Sequence, residues 1–136
     1  MFDSFSGPLV SVAELQAQLS EPGATPCIVI DCRFALAEPT LGKQQYSEGH
    51  IPGAYYLSLD ENLAGPVTAP LPAAGGRHPL PELGGLVETL NQVGLTAETM
   101  VVAYDSSRLA FASRLWWLLR YLGHDRVAVL DGGWQA

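Results

Sequence analysis

Residues 100–123 read Met-Val-Val-Ala-Tyr-Asp-Ser-Ser-Arg-Leu-Ala-Phe-Ala-Ser-Arg-Leu-Trp-Trp-Leu-Leu-Arg-Tyr-Leu-Gly, and the fold follows from how that run divides. Met100 to Tyr104 is a short apolar segment with two adjacent valines, the length and composition of a strand. A polar loop follows. Phe111, Leu115, Leu118 and Leu122 then recur at helical spacing, with Gly123 placed to end the helix. The reading is strand, tight loop, helix. A loop that leaves the carboxyl end of a strand and feeds a helix N-terminus collects unpaired backbone N–H groups and the positive end of the helix dipole, so it favours an anion. Open α/β sheets usually put their chemistry there.

The first loop residue is Asp105, where such a loop would hold a nucleophile. Its carboxylate already supplies the negative charge the amides favour, and it is a poor substitute for a thiolate in sulfur or phosphoryl chemistry. Asp105, Ser106, Ser107, Arg108, Leu109 and Ala110 therefore read as an active-site loop without its nucleophile. Val102-Ala103-Tyr104-Asp105, the short loop, and the run from Arg114 to His124 resemble the N-terminal half of two-domain rhodaneses, the thiosulfate and 3-mercaptopyruvate sulfurtransferases. The resemblance implies that active domains of the family carry a cysteine at the position of Asp105, which accepts sulfur as a persulfide. It also implies that the N-terminal halves carry an aspartate and lack the chemistry.

Working outward, 136 residues that are 48% hydrophobic suit one globular domain, residues 1–136, with a single core. Fourteen acidic against 7 basic residues give a net charge of −7, without a basic cluster able to follow a phosphate backbone, so no nucleic-acid partner is expected. Met1 to Val10 lacks a basic n-region, and no apolar run has membrane-spanning length. No membrane partner and a cytoplasmic location are the expectation.

Cys27 and Cys32 are five apart, an odd separation that points them to opposite faces of a strand, so neither a disulfide nor a shared metal site is expected. Cys27, five residues and Arg33 match the spacing of a tyrosine-phosphatase loop. Ile28-Val29-Ile30 between them reads as buried strand without a glycine to turn amides inward, which argues against that reading. His50, His78 and His124 are too scattered to suggest a metal site, and no cofactor is implied.

Ser11 and Glu14 form a capping box, with Val10 and Leu15 at staple spacing, which starts a helix over Val12 to Leu19 striped by Val12, Leu15 and Leu19. Cys27 to Asp31 reads as an interior parallel strand. Asp31 and Arg33 mark its carboxyl end, beside the Asp105 loop. Lining a pocket and forming a structural ion pair are both open to them, and the ion pair is preferred. A long irregular segment follows, containing Tyr46 to Leu57. In it Gly49 and Gly53 permit conformations closed to other residues and Pro52 fixes the turn. His50 is a candidate acid–base group, but an imidazole bonded to backbone is the preferred reading because no nucleophile lies nearby in sequence. Gly49-His50-Ile51-Pro52-Gly53-Ala54 is similar to the most distinctive motif of rhodanese-like domains, where it is structural, and Asp31-Cys32-Arg33 resembles the family's Asp-x-Arg element.

Ala64 to Pro81 turns to Pro, Ala and Gly, a loop in which Arg77 and His78 are candidate anion ligands or part of a proline-stiffened packing excursion. Its tail resembles the same region in N-terminal halves of the family, which favours packing. Pro81 suits a first helical turn; Leu83, Leu86, Val87 and Leu90 share a face, Gly94 ends the helix, and close approach to another backbone would explain Gly84-Gly85. Val127 to Leu130 is another buried strand, and Asp131-Gly132-Gly133-Trp134 resembles the family's second motif, with Leu130 in place of its usual aromatic.

Alternating strands and helices predict an open, mainly parallel α/β sheet with helices on both faces, and the resemblance places it in the rhodanese-like fold. It implies a non-catalytic N-terminal domain, truncated before its closing segment, whose partner is the C-terminal catalytic rhodanese domain of the same protein. Exposed apolar surface, covered by self-association of the fragment, is expected. The alternatives are a stand-alone binding or regulatory module, and a sulfur carrier through Cys32, which Arg33 favours and Asp31 opposes.

Overall fold

The computed structural model describes residues 7–21, 26–65 and 80–135. In chain order the elements are β1 (Leu9–Val10), α1 (Val12–Ser20), β2 (Cys27–Asp31), α2 (Leu41–Glu48), β3 (Tyr55–Tyr56), α3 (Leu83–Gln92), β4 (Met100–Tyr104), α4 (Ala112–Tyr121), β5 (Val127–Leu130) and a 3-10 turn (Gly133–Gln135). The strands lie in the order β1-β5-β4-β2-β3 and every pairing is parallel. β4 is the middle strand, and all five of its residues are buried. Its alternation feeds two cores. Val101 and Ala103 pack with Leu86 and Leu90 of α3 and Leu115, Leu118 and Leu119 of α4, while Val102 and Tyr104 pack with Val10, Val29 and Leu15 of α1. Cover on both faces is what allows an apolar run without a polar side to persist.

Local chemistry sets the element ends. Ser11 Oγ accepts from Glu14 N at 3.0 Å and Glu14 Oε1 from Ser11 N at 3.1 Å, a complete capping box. α3 and α4 close alike. Gly94 and Gly123 are left-handed, at φ 86° and 91°. Leu95 N then donates to Leu90 O at 3.1 Å and His124 N to Leu119 O at 2.8 Å, which satisfies carbonyls the helices leave over.

Four expectations need correcting. The stripe on α1 is not buried as a unit: Leu15 and Gln18 face inward, whereas Val12 and Leu19 are 42% and 47% exposed and border a groove with Ile51, Pro52, Leu130 and Trp134. α3 begins at Leu83 with Glu82 as its N-cap, which leaves Pro81 outside the helix, and Leu83 and Val87 of its apolar face are exposed. Gly84 and Gly85 are explained by that cap, since Glu82 accepts from Gly84 N at 3.1 Å and Gly85 N at 2.7 Å, and a Cβ at Gly84 would meet Glu82 Oε1 at 2.9 Å. The segment before Leu57, read as irregular, contains α2 and β3. α2 has no buried apolar residue to betray it; Gly42 is its buried position, and a Cβ there would collide with the carbonyl of Arg33. Arg77 and His78 lie outside the described residues.

Candidate functional site

In-register pairing of Asp31 with both Tyr56 and Tyr104 brings the carboxyl ends of β2, β3 and β4 level, so their following loops emerge side by side. The loop after β4 is built on Asp105, which is 1% exposed. One carboxylate oxygen accepts from Ser107 N at 2.9 Å and Leu109 N at 3.0 Å, and the other from Phe111 N at 2.9 Å and Ala112 N at 2.8 Å. Phe111 and Ala112 open α4, so the carboxylate also meets the positive end of the helix dipole. Turning these amides inward needs two consecutive left-handed residues, Arg108 at φ 56° and Leu109 at φ 70°, neither of them glycine. Such conformations cost about 1–3 kcal/mol each. Four charge-assisted hydrogen bonds offset them.

The backbone of Asp105 is held from the other side. Its carbonyl accepts from Trp134 N at 2.8 Å, and a Cβ on Gly133, whose φ is 63°, would clash with that carbonyl oxygen. Asp105, Ser106, Arg108 and Leu109 border a cavity of about 450 Å³ with Asp131, Gly132, Gly133 and Gln135. Ser107 and Ala110, the remaining loop residues, do not border it, and Ala110 is exposed.

Asp31 and Arg33 do form an ion pair, with Arg33 Nη2 at 2.7 Å and Nε at 3.0 Å from Asp31 Oδ2, both side chains buried. Tyr104 donates to the same Oδ2 at 2.8 Å, and Arg33 Nη2 donates to Gly49 O at 2.6 Å. The indole of Trp134 covers the guanidinium, 4.3 Å from ring centre to Cζ. Sequence reasoning found the pair but not Tyr104 or Trp134 as its partners, because nothing local links residue 134 to residue 33.

His50 is tied to its own loop. Nδ1 lies 2.7 Å from Tyr46 O, and the ring stacks on Tyr46 at 3.9 Å between centres. Ile51, Pro52, Gly53 and Ala54 form a tight turn closed by Ala54 N to Ile51 O at 2.9 Å, with Gly53 left-handed at φ 81°. Gly49 departs from expectation: its backbone is extended, and its carbonyl supplies the contact with Arg33.

The two cysteines pack into different cores, Cys27 beside the α1 face and Cys32 in the α3–α4 face. Partial burial raises the Cys27 thiol to about 11. Full burial, with Asp31 and Asp105 adding to it, pushes Cys32 well above the ordinary thiol range. A thiol so shielded is a poor nucleophile. Among the described residues no group of three or more His, Cys, Asp or Glu side chains is arranged to hold a metal, and no helix is long and apolar enough to cross a membrane.

The family profile described as rhodanese-like domain matches residues 11–136. A Pseudomonas aeruginosa protein named as a probable 3-mercaptopyruvate sulfurtransferase is 44% identical over 135 residues, which cover 96% of this chain and 45% of that protein. The rat 3-mercaptopyruvate sulfurtransferase is 34% identical, over 93% of this chain and 42% of its own. Among solved structures, the 3-mercaptopyruvate sulfurtransferase of Leishmania major superposes with a TM-score of 0.79 at 30% identity, over 93% of this chain and 33% of that one. The chain thus spans less than half the length of these relatives.

Proposed function

The chain belongs to the rhodanese-like domain family, and on that premise we propose that it is the N-terminal, non-catalytic half of a two-domain thiosulfate or 3-mercaptopyruvate sulfurtransferase. In the whole protein, sulfur passes from the donor to a cysteine of the C-terminal half as a persulfide, and from there to cyanide or a thiol. This half supports that partner and supplies no nucleophile. The observation that carries the reading is the Asp105 carboxylate occupying all four inward-turned amides, where a sulfur nucleophile would need to sit. The share of each relative that the chain covers fits one half of such a pair.

The test is a sulfurtransferase assay on this chain with thiosulfate and with 3-mercaptopyruvate, each with cyanide as acceptor, and mass spectrometry of the treated protein. The expected result is no turnover and no added sulfur on Cys27 or Cys32. A persulfide on either cysteine would overturn the reading and revive Cys32 as a carrier. Adding a catalytic C-terminal half should restore transfer; if it does not, a stand-alone binding module is the better account. Against that module stands the Asp105 carboxylate, which a small anion would have to displace from the four amides it occupies.

A further inference from the structure

We propose that the outer face of α4 is a docking surface for an acidic protein segment that carries an aromatic anchor. α4 buries Ala112, Leu115, Leu118 and Leu119 and turns Ser113, Trp117, Arg120 and Tyr121 to solvent. Trp117 and Tyr121 are 46% and 55% exposed, and their rings stack at 5.1 Å and 9°. They form a rigid ridge, since each ring already limits the rotamers of the other.

Two cavities adjoin this face of α4. One, of about 530 Å³, is bordered by Leu80, Ala110, Ser113 and Arg114; the other, of about 440 Å³, by Pro8, Arg120, Asp125 and Arg126. Trp116 borders both, carries the Arg120 guanidinium 5.0 Å from its ring centre, and has a buried indole N–H without a hydrogen-bond partner. Knob, hole and arginine together are the make-up of an interface centre, where Trp, Tyr and Arg are enriched.

Charge selects the occupant. The two cavities are bordered by Arg114, Arg120 and Arg126 and by one acidic residue, Asp125, in a chain with 7 basic and 14 acidic residues. That acid, Asp125, lies 4.0 Å from Arg120 and is well exposed. The rest of the chain is strongly acidic, so an acidic partner is repelled elsewhere and guided to this face. Carboxylates of the partner meet Arg120 and its neighbours, and an aromatic side chain extends the Trp117–Tyr121 stack. This surface acts independently of the sulfur chemistry proposed above.

The probe is a random copolymer of glutamate and tyrosine, titrated into the 136-residue protein, with polyglutamate and a lysine–tyrosine copolymer as controls. Amide chemical shifts locate the contact. The expected result is binding at least about tenfold tighter than either control, weakened by added salt, with shifts centred on residues 113–121. Arg120→Glu and Trp117→Ala should each reduce it about tenfold without lowering Tm by more than a few degrees. Equal binding of the controls, shifts centred elsewhere, or indifference to both substitutions would overturn the proposal. So would a concentration-dependent dimer abolished by Arg120→Glu in a protein that ignores the copolymer, because the occupant would then be a second copy.

Discussion

The indole of Trp134 lies on the guanidinium of Arg33, which is itself bound to the carboxylate of Asp31 and the carbonyl of Gly49. One cation thereby ties the end of β2, the Gly49–Ala54 turn and the closing 3-10 turn into a single unit. Trp134→Ala removes the aromatic lid and is expected to cost about 1–2 kcal/mol, the range for a partly desolvated cation–π contact. Urea unfolding checks it. Arg33→Ala leaves Asp31 buried without its cation and should cost about 3–5 kcal/mol.

Asp105→Ala is expected to cost about 3 kcal/mol, because four amides, one buried and three partly buried, lose their acceptor while Arg108 and Leu109 keep strained conformations. Asp105→Asn keeps an acceptor oxygen but puts an NH2 group against amide donors, so it should destabilise nearly as much. Equal stability of Asp105→Asn and the parent protein in a urea titration would show that the charge is immaterial to the loop.

The thiols should be slow to alkylate. At pH 8 a thiol near 11 is ionised to roughly one part in a thousand, so iodoacetamide should modify Cys27 on the order of a hundredfold more slowly than a free cysteine. Cys32 should react only when the protein unfolds. Peptide mapping after timed quenching distinguishes the two sites.

Stability should fall on the alkaline side. Burial raises Tyr56 to about 12 and Tyr104 further still, and Asp31 adds to both. Each phenol is easier to ionise in the unfolded chain than in the folded one. Their contribution is therefore complete below pH 10 and is lost as pH rises through the folded values. Cys27 and Cys32 act in the same direction from about pH 9. Unfolding midpoints between pH 8 and 11 should be level and then decline, and Tyr104→Phe should shrink the decline.

How far the sequence announces this structure depends on how local the cause is. β4, α4, both glycine stops and the Ser11–Glu14 box are set by residues within a turn or two of each other, and they stand where periodicity puts them. α2 was hidden because its polar run, Leu41 to Glu48, buries only Gly42. The Asp105 cradle was legible because donor and acceptor are neighbours in the chain. The cover of Trp134 over Arg33 was not, since it arises only when β5 pairs beside β4.

Arg108 and Leu109 hold, without glycine, a backbone shape that glycine usually supplies. The instruction for that loop therefore resides in the Asp105 side chain and not in the residues that bend. An exchange at position 105 that removes the carboxylate takes away the acceptor of all four amides at once, so cysteine introduced alone would have one sulfur atom where two oxygens now divide the donors. A different acceptor at position 105 would therefore have to come with changes in the residues that bend around it.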